Sequence, residues 1–118
     1  LVGSEMCIRD RAKKLSENLP IIVTGDFNAV PSDEPIQVLT NPSDPRHLTH
    51  SRTIAGFIYG PEWTFHDFGK IPYDKREWID YIFVKGNIKV LRHGVLTETL
   101  NNLFPSDHCP VISTLILE

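Results

Sequence analysis

The segment 78–84 reads WIDYIFV, and every side chain in it except the carboxylate of Asp80 is apolar or aromatic. Such a run of β-branched and aromatic residues predicts a buried strand. A carboxylate inside a buried strand costs free energy unless a cation, a metal or hydrogen-bond donors pair with it. The alternation of Asp80, Ile82 and Val84 on one face argues against the other interpretation, an edge strand facing water. The segment therefore predicts a sheet with a partner for Asp80.

The rest of the chain predicts one α/β domain with more strands than helices. The 118 residues carry 12 Lys and Arg against 15 Asp and Glu, a formal charge of −3. No apolar run approaches the ~20 residues of a membrane-spanning helix. The predicted elements are helices at 12–18 and 33–39, the second N-capped by Ser32, and strands at 21–24, 63–66, 88–96 and 111–117, with mostly loop at 40–60.

A second polar group is GDFN at 25–28, which directly follows the strand 21–24. In an extended chain Asp26 and Asn28 point to the same side. A carboxylate beside an amide suits a divalent cation, a water molecule or a phosphate oxygen. The other interpretation is a turn in which the two side chains bond the local backbone.

A third polar group, PSDHCP at 105–110, precedes the last strand. Its prolines restrict the backbone on both sides, which suits a loop that presents Asp107 and His108 in fixed directions. His108 titrates near neutrality and is either a proton carrier, a phosphate contact or a structural histidine. Together with Asp80 it predicts a dyad in which the carboxylate orients the imidazole.

Four motifs in order, GDFN at 25–28, TFHDF at 64–68, WIDYIF at 78–83 and SDHCPV at 106–111, resemble the C-terminal half of the endonuclease/exonuclease/phosphatase superfamily. The resemblance covers about residues 19–118. It implies an α/β (α+β) fold, the C-terminal half of a four-layer α/β sandwich with two facing, mostly antiparallel sheets. It also implies hydrolysis of phosphodiesters or phosphomonoesters with Mg²⁺ or Mn²⁺ as cofactor.

The same resemblance implies roles for four residues. Asp26 corresponds to the carboxylate that positions the attacking water and approaches the metal, and Asn28 to the group that holds the scissile phosphate. Asp80 orients His108. His108 contacts the phosphate, either stabilising charge in the transition state or acting as the base.

Two further residues complete the implied site. Asp107 resembles the family's carboxylate near the metal, so the predicted metal ligands are Asp26 and Asp107. His66, within the second motif, is predicted to be a weaker substrate contact. The chain departs from the family at Trp78, where many members have Arg, and it has no counterpart of the family's N-terminal metal-binding Asn and Glu motifs.

The expected partner is a phosphate-ester substrate, because relatives act on small molecules, lipids and nucleic acids alike. The net charge of −3 disfavours long nucleic acids as substrates, because they are strongly anionic. The complete protein is expected to be a monomer without a membrane span, and cytoplasmic and secreted locations both stay open.

Three alternatives compete with this interpretation. The same fold can serve as a non-catalytic or truncated module without independent activity. A zinc hydrolase would require His47, His50 and His66 to cluster in space. Cys109 beside His108 suggests a thiol nucleophile only weakly, because adjacent residues rarely face one another.

Residues 1–11, LVGSEMCIRDR, also have two interpretations. They resemble a translated sequencing-adapter read-through, which would make them non-native. They also suit a helical leader, because Ile8, Ala12, Leu15 and Leu19 would line one helix face. Residues 12–118 are predicted to be the C-terminal part of the domain.

Overall fold

The computed structural model describes residues 2–118, with the side chains of residues 7–15 and 17–118. Three α-helices and six strands form a mixed α/β structure with two sheets, as expected. None of the described helices is long and apolar enough to cross a membrane. The elements in chain order are α1 (Val2–Ser16), β1 (Ile21–Asp26), α2 (Glu34–Thr40), β2 (Thr49–His50), α3 (Ser51–Ile54), β3 (Phe57–Tyr59), a 3₁₀ turn (Tyr73–Lys75), β4 (Asp80–Lys85), β5 (Ile88–Val95) and β6 (Val111–Leu117).

Each of the two sheets has three strands, with β4 in the centre of the first and β5 in the centre of the second. The first sheet has the order β1-β4-β2, and both of its pairings are antiparallel. The second has the order β3-β5-β6, in which β3 runs parallel to β5 and β6 antiparallel to it. Because β4 is the central strand, the edge-strand interpretation of Asp80 is wrong.

The inner face of β4 supplies the centre of the hydrophobic core. Tyr81 and Phe83 alternate along it, are 2% and 0% exposed, and stack with ring centroids 5.0 Å apart. Phe27 packs edge-on against both rings. Burying large aromatic side chains is a main source of core stability. The buried core residues are Ala29, Ile36, Leu39, Leu48, Trp63, Trp78, Tyr81, Phe83, Val95 and Cys109.

A polar cluster joins the two sheets beside this core. His50 of β2 lies between the rings of Trp78 and Tyr81 and also contacts His93 of β5, with ring centroids 5.4 Å apart. The His93 Nδ1 atom hydrogen bonds to the hydroxyls of Ser51 and Ser113, at 2.8 and 2.9 Å. The ring of His50 therefore joins the two sheets by packing on His93, while the hydrogen bonds of His93 tie α3 and β6 to β5.

Several predicted elements differ from the structure. The segment 63–66 is not a strand, because Phe65 makes only isolated bridges to Glu77 and His108. The predicted loop 40–60 contains β2, α3 and β3, each too short to show a hydrophobic period. The strand predicted at 78–84 begins at Asp80, which places this carboxylate at the strand end.

The ends and faces of the helices also differ. The N-cap of α2 is Asp33, one residue after the predicted Ser32, and its carboxylate accepts a hydrogen bond from the N–H of Val30. The predicted apolar face of α1 is not buried, since Ile8 is 39% and Leu15 72% exposed. Arg9, only 3% exposed, faces the interior instead, where it pairs with an acid of the neighbouring loop.

Candidate active site

Two carboxylates lie side by side where β1 and β4 meet. The antiparallel register pairs Asp26, the last residue of β1, with Asp80, the first residue of β4. Like charges directly opposite each other on neighbouring strands are destabilising. The pair therefore needs a positive group, and both residues line a shallow cleft of about 370 Å³ in which one could sit.

His108 supplies such a group from the loop before β6. Its Nδ1 atom lies 2.8 Å from Asp80 Oδ2, and its Nε2 atom lies 3.9 Å from Asp26 Oδ2. Burial acts to lower the pKa of His108, but the hydrogen bond to Asp80 and the charges of Asp80, Asp107 and Asp26 outweigh it and raise the pKa. The imidazole is thus biased toward its cationic form between the two carboxylates.

Asn28 occupies a turn next to this group, not an extended strand. Its φ of 49° is left-handed, and its N–H donates to Asp26 Oδ1 at 2.8 Å. The sequence predicted an extended chain in which Asp26 and Asn28 point to the same side. That chain is not extended here, because β1 ends at Asp26. The turn interpretation describes the local structure, and it fixes the orientation of the Asp26 carboxylate.

Asp107 and His66 lie behind the dyad. The carbonyl of Asp107 accepts the N–H groups of His66 and Asp67, at 3.1 and 3.2 Å. The His66 side chain is fully buried, its ring packs 4.2 Å from that of Phe104, and its Nδ1 atom accepts the N–H of Gly69. The His66 side chain has no exposed surface in this structure, and its role as a substrate contact stays a prediction.

The donor set suits a hard divalent cation. Among the described residues, Asp26, Asp80 and His108 each offer a ligand atom within 4.8 Å of the others. Mg²⁺ prefers oxygen ligands and is usually held by one or two carboxylates together with water and substrate phosphate. Asp26, exposed to the cleft, fits this chemistry, whereas one oxygen of Asp80 already binds His108. Asp107 lies outside the group, and its role as a ligand stays a prediction.

The histidines of the zinc alternative do not come together. His47 bonds the carbonyl of Asp44, His50 lies in the cluster between the sheets, and His66 packs on Phe104. The three do not form a ligand group within residues 2–118. Cys109 is 4% exposed and burial raises the pKa of its thiol, which disfavours the nucleophilic thiolate.

Thr64 is a residue of this region that the sequence did not single out. It is fully buried and bonds both the start of β4 and the loop that carries His108. The only signal in the sequence was its place at the start of the motif TFHDF. That signal is weak, because threonine is common in strands of every kind.

The model of the endonuclease/exonuclease/phosphatase family matches residues 7–108. The chain belongs to this family. A search of curated protein sequences gives no match. The family assignment confirms the resemblance on which the motifs were interpreted.

Solved structures of this family have the same fold. An endonuclease/exonuclease/phosphatase from Bacteroides vulgatus aligns with 99% of this chain at 31% identity and a TM-score of 0.90. A mannosyl-6-phosphatase from Bacteroides thetaiotaomicron aligns with 98% of it at 30% identity and a TM-score of 0.83. The alignments cover 44% and 45% of those chains, so this chain spans less than half the length of either relative.

Proposed function

We propose that this chain carries the Asp–His side of the active site of a metal-dependent phosphoester hydrolase. The observation that carries the proposal is the bridged pair of carboxylates: Asp26 and Asp80 face each other, and His108 lies between them at 3.9 and 2.8 Å. Family membership supports the same reaction class. An imidazole N–H beside an open cleft can donate a hydrogen bond to a phosphate oxygen.

In the proposed reaction a water molecule attacks phosphorus, the ester P–O bond breaks, and the alcohol leaves with a proton that its oxygen takes from solvent water. Asp26 orients the water and accepts its proton, because its carboxylate is held by the Asn28 N–H and faces the cleft. His108 donates a hydrogen bond to the phosphate through Nε2, since Nδ1 is engaged by Asp80. Asp80 keeps the imidazole oriented and cationic.

Mg²⁺ or Mn²⁺ would be held at Asp26, with Asp107 as the second predicted ligand, and would neutralise charge on the phosphate. Asn28 and, more weakly, His66 are the remaining proposed substrate contacts. Between the two roles for His108, its raised pKa favours the electrostatic one, because a cationic imidazole cannot accept the proton of the water.

Sugar phosphomonoesters are the first substrates to test. The relative from Bacteroides thetaiotaomicron is a mannosyl-6-phosphatase, and this chain aligns with it over 98% of its own length. A panel of a hexose 6-phosphate, a generic phosphodiester and a short oligonucleotide separates the three substrate classes.

The test compares Asp26→Ala and His108→Ala with the unchanged protein, each assayed with Mg²⁺ and with excess chelator. We expect each substitution to lower kcat by about a hundredfold or more, because each removes a group that acts on the reacting atoms. The matched control is Asp74→Ala, an exposed carboxylate in the 3₁₀ turn. Near-normal hydrolysis by either variant, or activity unaffected by the chelator, would contradict the proposal.

The alternative is a non-catalytic or truncated module of the same fold without independent activity. A 118-residue chain that binds a phosphate ester without turning it over would support this alternative. A chain that hydrolyses it would exclude it.

A further inference from the structure

The Asp80–His108 pair depends on two segments that are far apart in the sequence. Asp80 begins β4, whereas His108 belongs to the loop before β6. A hydrogen bond of 2.8 Å between them requires that the two backbones hold a fixed separation. Thr64, on a third segment, bonds to both.

The side chain of Thr64 holds the Asp80 segment. Its Oγ1 atom accepts hydrogen bonds from the N–H groups of Ile79 and Asp80, both at 3.1 Å. Two accepted bonds use both lone pairs of a hydroxyl oxygen. Thr64 is 0% exposed, so water does not compete for this oxygen.

The main chain of Thr64 holds the His108 segment. Its carbonyl accepts the N–H of Cys109, the residue after His108, at 2.7 Å. The next residue, Phe65, forms a bridge to His108 and packs its ring 4.9 Å from the imidazole. One short segment therefore fixes the backbone on both sides of the dyad.

We propose that Thr64 is a positioning residue, whose hydroxyl sets the backbone at Asp80 so that the carboxylate meets His108. It touches neither the cleft nor the reacting atoms and acts only through the dyad. The inference rests on the proposed function for its consequence in catalysis. Its structural part, the dependence of the Asp80–His108 hydrogen bond on the Thr64 hydroxyl, stands independently.

A purely structural threonine would give a different result on substitution. Loss of a general packing contact weakens the whole fold and affects many amides alike. Loss of a specific acceptor leaves two particular N–H groups unpaired and releases one particular carboxylate. The measurement must therefore resolve individual residues.

The test compares Thr64→Val, which keeps the shape and removes the oxygen, with Thr64→Ser, which keeps the oxygen. The matched control is Thr40→Val on α2, which removes another hydroxyl hydrogen bond, from Thr40 Oγ1 to the Ile36 carbonyl at 2.8 Å. Amide hydrogen exchange and the NMR signal of the His108 Nδ1 proton are recorded on the full 118-residue chain without metal.

We expect Thr64→Val to speed exchange at Ile79 and Asp80 by about tenfold or more and to abolish the slowly exchanging Nδ1 proton of His108. Thr64→Ser and Thr40→Val should retain that proton. The proposal is overturned if Thr64→Val keeps the proton signal, or if Thr40→Val loses it equally. Should Thr64→Val not fold, Thr64→Ser decides: a lost Nδ1 signal in a folded Ser variant overturns the proposal, and a retained one supports it.

Hydrolysis gives the second measurement. If the proposed function holds, kcat falls about tenfold or more in Thr64→Val with KM little changed, and Thr64→Ser restores it. An unchanged kcat in a variant that has lost the Nδ1 signal overturns the catalytic part of the inference. An inactive unchanged protein that shows the expected NMR differences counts against the proposed function and supports the positioning role.

Discussion

Asp26 and Asp80 lie side by side at the ends of two paired strands. Each is an end residue of its strand, and their register makes them direct neighbours. Two facing carboxylates destabilise a sheet, and the contacts of His108 with Asp80 at 2.8 Å and with Asp26 at 3.9 Å act against that repulsion. The repulsion between the two carboxylates is therefore offset only when the loop that carries His108 packs against them.

The first residue-scale prediction concerns Asp80→Asn. The amide keeps the shape but removes the charge that favours cationic, correctly oriented His108. We expect phosphoester hydrolysis to fall by about a hundredfold to ten-thousandfold while the far-ultraviolet circular dichroism spectrum is retained. Asp74→Asn, on the exposed 3₁₀ turn, is the control. Full activity of Asp80→Asn would show that His108 needs no charged partner.

At the residue scale, the motifs predicted that Asp80 and His108 interact, and the structure brings the two side chains together; their roles stay predictions. Asp80 was expected to need a partner because it interrupts an apolar run of the sequence, and His108 lies 2.8 Å from it, although β4 begins at Asp80. The same reasoning was wrong about Asn28, because it assumed an extended chain where the backbone turns into the left-handed region. It gave no reason to single out Thr64, whose hydroxyl matters only through contacts with distant segments.

At the scale of elements, the cluster of His50 and His93 at the junction between the two sheets has the clearest consequence for stability. Burial lowers the pKa of His50 to about 3, with the charges of His93 and Arg52 adding to the effect, and burial lowers that of His93 to about 4. The Nε2 atoms of both rings are buried without a hydrogen-bond partner among the described residues. A proton added to either ring in the folded state is therefore costly.

The second prediction follows from these depressed values. Both pKa values in the fold lie below the ordinary value of 6.5, so the unfolded chain binds more protons as the pH falls below about 6.5. We expect each histidine to cost about 2 kcal/mol of the free energy of unfolding between pH 7 and pH 5. The shift of the urea midpoint between the two pH values, at one fixed protein concentration, follows the loss.

A variant separates this effect from general acid sensitivity. His50→Phe places an aromatic ring without a titrating group among Trp78, Tyr81 and Phe83. It should remove about half of the pH-dependent loss, whereas His47→Gln on the preceding loop should remove little. A loss of equal size in His50→Phe and in the unchanged protein would contradict the assignment to the junction.

The third prediction concerns how α1 is attached. Arg9 is almost fully buried and its Nη1 atom lies 2.9 Å from Asp44 Oδ2. Arg46 bonds the same carboxylate at 3.0 Å and reaches Asp10 of α1 at 2.7 Å. Removing Asp44 takes from a buried guanidinium its shortest charge contact and leaves it only Asp10 at 3.8 Å and the Val38 carbonyl at 3.4 Å. Such a loss is more destabilising than the loss of an exposed charge.

We therefore expect Asp44→Ala to lower the urea midpoint clearly more than Asp74→Ala does. Amides of α1 should lose protection against hydrogen exchange in the first variant only. Equal midpoints for the two variants would mean that α1 does not depend on this contact. Whether residues 1–11 are a helical leader or non-native sequence stays a prediction.

The whole molecule is less compact than its length suggests. Its radius of gyration is 15.0 Å, whereas a domain of this length has about 13.5 Å. Both β1 and β6 are edge strands, and neither contains a buried residue. Ile22 on β1 and Ile112, Ile116 and Leu117 on β6 are between 44% and 62% exposed.

The fourth prediction follows from this exposed surface. Open strand edges with apolar side chains are sites of aggregation. We expect the isolated 118-residue chain to bind a hydrophobic dye, to elute as concentration-dependent oligomers and to unfold over a broad range of denaturant. A sharp, concentration-independent unfolding of a monomer would contradict the prediction. Ile112→Lys and Ile116→Lys together should reduce oligomer formation, since charge on an edge strand opposes pairing.

What the sequence determined by itself was the family and the fold class. Short apolar strands ending in Asp, Asn and His residues carry that information locally, because a polar group next to a buried strand needs a partner whatever the topology. The strands at 88–96 and 111–117 were predicted closely for the same reason, since periodicity is a local property.

Only the tertiary structure decided which groups meet. The register of β1 on β4 pairs Asp26 with Asp80, the loop before β6 brings His108 between them, and Thr64 spaces the two segments. The same packing buried His66 and separated the histidines of the zinc alternative. These outcomes depend on contacts between residues far apart in the chain, and no local pattern encodes such contacts.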